Sequence, residues 1–122
     1  MTSEEAAIAE AIFDLSVGSR CPYQTILESG AMPPGWVDDY FSQLALVSKV
    51  WSKRSEIPMK VATAVHAASL YLPLRYQSWR NLHPGSSNNN ETDSAIARIR
   101  TWSEFFLMGP VYPNIQVPDV PA

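Results

Sequence analysis

One cysteine, five glycines and two histidines in 122 residues leave little material for the common forms of catalytic chemistry. Cys21 stands alone, which excludes an internal disulfide framework and a thiolate metal cluster and fits a reducing compartment. The glycines fall singly at the expected ends of elements, so no glycine-rich phosphate loop can be drawn, and no HExxH or similar metal pattern occurs. Charge is also scarce. Only 17% of residues are charged against 46% hydrophobic, so more of the surface must be neutral or apolar than is usual, which favours self-association or a protein partner. The net charge of −3 argues against a general nucleic-acid binder, whose affinity comes from clustered Lys and Arg. The longest apolar window, Val61 to Leu74, is too short for a bilayer and carries His66. The opening MTSEEAAIAE has no basic region ahead of an apolar run and does not read as a secretory signal. The expectation is a cytoplasmic protein with no membrane association.

What is present organises itself around Ile57 to Leu82. From Val61 to Leu72 the residues are apolar or small almost all the way round, and Lys60, Thr63, His66 and Ser69 recur every third position. Steps of three drift by roughly 60° on a helix of 100° per residue, so these four spiral and the expectation is a buried helix without a continuous wet face. Ser55 is the expected N-cap and Glu56 the first-turn acid, which places this central helix over about 56–72. Pro73 should kink or break it.

Taken in order, Thr2 and Glu5 have capping-box spacing and precede Ile8, Ala11, Ile12 and Leu15 at helical intervals, with Gly18 as the C-cap. A short second helix follows from Pro22 to about Glu28, stopped by Ser29 and Gly30, and AMPPG forms a rigid connector. From Trp36, the series Val37, Tyr40, Phe41, Leu44, Val47 and Trp51 predicts a third helix, with Asp38 and Asp39 at its positive start. His83 to Asn90 reads as a mobile loop. The last helix, from Asn90 or Thr92, presents Ile96, Ile99, Trp102, Phe105 and Phe106 and stops at Gly109 and Pro110. The predicted fold is therefore all-α: a single small bundle of four to five helices over residues 1–109, with an extended proline-rich tail over 110–122. The helices from Trp36 and Thr92 are expected against the central one.

Residues that could carry chemistry are few. His66 reads first as a structural histidine satisfied by a polar neighbour and second as a proton-transfer or ligand group, because positions 62, 63, 69 and 70 hold no second metal ligand. Cys21 reads as a small half-buried residue before it reads as an activated thiol. Helix-start electrostatics accounts for Glu4–Glu5 and Asp38–Asp39 better than acid–base catalysis does. The sequon Asn90-Glu91-Thr92 and the two PxxP matches in the tail carry little weight, the latter lacking basic flanks. No catalytic residue, metal ligand or cofactor-binding residue is assigned.

The binding candidates are Tyr71, Arg75, Tyr76, Trp79 and Arg80. On a helix, Tyr71, Arg75 and Trp79 recur every fourth residue, with Tyr76 and Arg80 as an adjacent stripe. These residue types concentrate at binding hot spots, although Arg stems over aromatic rings also cover a core edge. The reading is a non-catalytic protein–protein interaction module, a small adaptor or regulatory subunit that binds a protein partner or a second copy of itself. The first alternative is a small-molecule binder or small helical enzyme with a pocket near His66. The second is a helical nucleic-acid module reading through Arg98 and Arg100.

Overall fold

A computed structural model of the chain describes residues 1–86 and 90–108. These form α1 (Ser3–Ser16), α2 (Tyr23–Ser29), α3 (Trp36–Trp51), α4 (Met59–Leu82) and α5 (Asn90–Met108), with no strand among the described residues. The expected proline-rich tail and the middle of the expected mobile loop lie outside the described residues.

Local signals set most of the boundaries. Thr2 caps α1 through its side chain, which accepts from the Glu5 amide at 3.0 Å, while the Glu5 carboxylate accepts from the Thr2 amide. Together with the Arg54 guanidinium, the larger influence, this holds the Glu5 carboxyl below the usual carboxylate range. α1 ends at Ser16, two residues short of Gly18, which lies beyond the cap Val17 and returns its amide to the Phe13 carbonyl at 2.9 Å. Gly30 ends α2 in the left-handed conformation, φ 69°.

α4 departs from expectation at both ends. It starts at Met59, not near Glu56, and Ser55 makes no cap. The proline ring at position 58 disfavours helical backbone at Ile57, so the helix can begin only after it. It then runs for 24 residues through Pro73 without a break. Leu72 and Tyr76, buried on either side of the proline, tie both halves to one core, and their packing outweighs the hydrogen bond the proline removes.

α4 is central. α1, α2 and α5 pack on it, as expected of the helix from Thr92, whereas the helix from Trp36, α3, expected against the central one, packs instead chiefly on α1 and α5. Ala64, Ala67 and Ala68 let the neighbours of α4 approach closely, whereas the buried face of α3 holds Trp36, Tyr40, Phe41 and Trp51, which keep adjacent axes farther off. Two polar ties fix α3. The Trp36 indole N–H is shared between the Leu15 and Arg20 carbonyls, both at 3.1 Å, and Tyr40 meets Ser103 of α5 at 2.8 Å in the buried interior.

Candidate functional site

Three helices cover α4 on three sides and leave a fourth bare. Thr63, His66, Leu70, Leu74, Gln77 and Asn81 follow one another at intervals of three or four and are all exposed. The expectation of a helix without a wet face is thus corrected. The positions chosen in sequence were polar residues three apart, which spiral, whereas the solvent stripe combines polar residues with leucines at the true helical repeat. The middle of the stripe is apolar: Leu70 is 42% exposed, Tyr71 beside it 42% and Leu74 50%. Such residues next to one another form a patch that water covers at a cost in free energy.

The five sequence candidates divide. Tyr71 and Arg75 are exposed and lie together, the guanidinium carbon 5.8 Å from the ring centroid. Tyr71 also meets Tyr23 of α2 edge-on at 5.7 Å. Burial pushes the Tyr23 hydroxyl above the ordinary tyrosine range, and it donates to the Ser16 carbonyl at 2.6 Å. Tyr71 therefore rests on a fixed support. Tyr76, by contrast, is buried in the core, and Trp79 is half-buried against it with rings stacked at 5.9 Å. The His83 imidazole also stacks on Trp79 at 5.2 Å, and His83 Nδ1 lies 2.9 Å from the Trp79 carbonyl, to which it donates. Trp79 does not share a face with Tyr71 and Arg75, because steps of four drift by about 40° each and eight positions turn it inward. Arg80 is exposed above the Tyr76 ring, 6.0 Å from its centroid.

Sequence reasoning missed Leu70 and Leu74. The available signal was the spacing of Thr63, His66, Gln77 and Asn81, which marks a wet stripe with both leucines inside it.

His66 stands on this stripe, exposed, with no hydrogen bond or ion pair among the described residues, so it is not the satisfied interior histidine expected from its apolar neighbours. Cys21 is exposed rather than half-buried. Of the two α5 arginines, Arg98 lies over the Phe41 ring at 4.7 Å and Arg100 pairs with Glu104 at 3.0 Å. Among the described residues no group of three or more His, Cys, Asp or Glu side chains gathers as a metal site requires. A cleft of about 410 Å³ opens between the connector after α2 and the first turns of α5, with Met32, Pro33, Val37 and Ala95 as apolar walls and Asp38, Glu91 and Arg98 as charged ones. No helix among the described residues is long and apolar enough to cross a membrane. Compared with family models, with curated proteins and with solved structures, the chain matches none.

Proposed function

We propose that the chain is a non-catalytic interaction module, an adaptor or regulatory subunit, that docks a protein partner on the outer face of α4. The observation that carries the reading is the exposure of Leu70, Tyr71 and Leu74 on a helix otherwise held by α1, α2 and α5. A platform whose backbone is locked by a packed core loses little entropy on binding, the two leucines supply apolar area to bury, and tyrosine and arginine beside them are residue types enriched at binding hot spots. Of the sequence candidates, Tyr71, Arg75 and Arg80 serve as contacts, while Tyr76 and Trp79 hold the platform from beneath.

The test is a Leu70→Asp/Leu74→Asp variant, compared with the wild type by affinity capture from the native lysate. Because both side chains are about half exposed, the cost is chiefly helix propensity and repulsion between acids four residues apart, about 1 kcal/mol per site, and a circular dichroism melt confirms that the variant is folded. A stoichiometric protein retained by the wild type and lost by the folded variant supports the reading; identical capture by both removes it.

A second reading, a small-molecule binder, is favoured by the cleft beside α5, which mixes apolar walls with charges of both signs. It differs from the pocket expected near His66 in lying at the α2–α3 connector. A ligand whose stabilising effect in a thermal-shift screen is lost in Arg98→Ala would support it, and a screen without such a ligand would leave the α4 face as the working surface.

A further inference from the structure

We infer that the partner segment is an acidic amphipathic α-helix, lying along α4 with its apolar stripe on Leu70, Tyr71 and Leu74 and its carboxylates on Arg75 and Arg80; this rests on the α4-face reading above. Charge is the first argument. The chain holds 12 Asp and Glu residues, yet none lies in the 24 residues of α4, which carry Lys60, Arg75 and Arg80. Lys60 is already paired with Glu10. Arg75 and Arg80 meet no carboxylate among the described residues. Their guanidinium groups lie instead near the Tyr71 and Tyr76 rings, which steadies the stems and leaves N–H donors for an incoming carboxylate.

Placement is the second argument. At 100° per residue, Arg75 falls about 100° to one side of Leu74 and Arg80 about 120° to the other. Two cations thus flank an apolar seam, as the charged edge positions of paired helices flank theirs, and the complement is a helix with acids on both sides of a leucine-type stripe. Shape is the third. α4 presents a convex helical ridge, and the described residues include no strand edge on which an extended peptide could add. A second copy is disfavoured because α4 holds no Asp or Glu, so a two-fold contact of this face with itself would offer Arg75 and Arg80 no carboxylate.

The experiment selects helical peptides on the intact chain. A displayed library of peptides about 16 residues long matches the roughly 22 Å from His66 to Asn81, with a leucine stripe fixed and the flanking positions randomised. The expected winners carry Asp or Glu beside the stripe. A labelled winner should weaken with salt on the wild type, weaken about tenfold or more on an Arg75→Glu/Arg80→Glu variant, and lose binding on Leu70→Asp/Leu74→Asp. Its Lys-for-Glu counterpart should recover affinity on the arginine-reversed variant. Circular dichroism melts confirm folding, and Arg75→Gln/Arg80→Gln serves where reversal disturbs the fold. Basic or uncharged winners, or affinity indifferent to the arginines, would overturn the inference. If such winners still depend on Leu70 and Leu74, the acidic helix fails and the docking face stands; if no winner depends on them, both fail. Two further results would also overturn it: a wild-type dimer in sedimentation velocity, or pelleting with phosphatidylserine vesicles, either one abolished by Leu70→Asp.

Discussion

Replacing Gly30 by alanine separates two costs that the structure assigns to one position. Gly30 has φ 69°, where an L side chain is strained, and a Cβ there would lie 2.5 Å from Cδ2 and Cε2 of Trp79. The left-handed backbone alone costs roughly 1–2 kcal/mol for alanine. A carbon at that distance is about 1 Å inside ordinary contact, so the indole must move. It cannot move freely, because Tyr76 and His83 stack on it at 5.9 and 5.2 Å. Overpacking of this kind costs a further 1–3 kcal/mol or so. Gly35 supplies the control, with φ 76° and nothing within 4 Å of its would-be Cβ. Gly35→Ala should lose about 1–2 kcal/mol and Gly30→Ala about 2–5, a difference that moves urea midpoints apart by about 1 M. Equal midpoints would refute the reasoning and, with it, the assignment of Trp79 to the support beneath the α4 face.

Two other outcomes follow from the interior tie between α3 and α5. Ser103→Ala leaves the buried Tyr40 hydroxyl without its partner at 2.8 Å and should cost about 1–3 kcal/mol, part of which Tyr40→Phe in the same chain restores; additive losses in thermal denaturation would contradict this. Burial also raises Tyr40 above the tyrosine range, so its contribution is intact below about pH 10; above that the unfolded chain sheds a proton the folded one keeps. The unfolding free energy should then fall by about 1.4 kcal/mol per pH unit from this group, Tyr23 acting in the same direction, and Tyr40→Phe should flatten the decline. Parallel curves for wild type and variant would exclude Tyr40 as the cause.

Part of the site was obscured in the sequence because Leu70 and Leu74 interrupt the polar stripe of Thr63, His66, Gln77 and Asn81, so the exposed face of α4 reads as apolar in its middle. The Arg75–Tyr71 pair was legible, being local at one helical turn. The inward turn of Trp79 follows from helical drift, but what covers its ring was not legible, since Gly30, 49 positions earlier in the chain, lies against it. The same distinction explains His66, polar in an apolar stretch and yet exposed, because no neighbouring helix covers its side of α4.

The helices themselves were determined by the sequence. Thr2 and Glu5 cap the first, Gly30 stops the second, the Trp36 to Trp51 repeat defines the third, and the residues from Asn90 carry the fifth, each through hydrogen bonds and packing a few positions apart. Tertiary structure decided the rest. It carried α4 through Pro73, where buried Leu72 and Tyr76 outweigh one lost hydrogen bond, and it left Leu70, Tyr71 and Leu74 facing water, because α1, α2 and α5 cover only part of the circumference of α4.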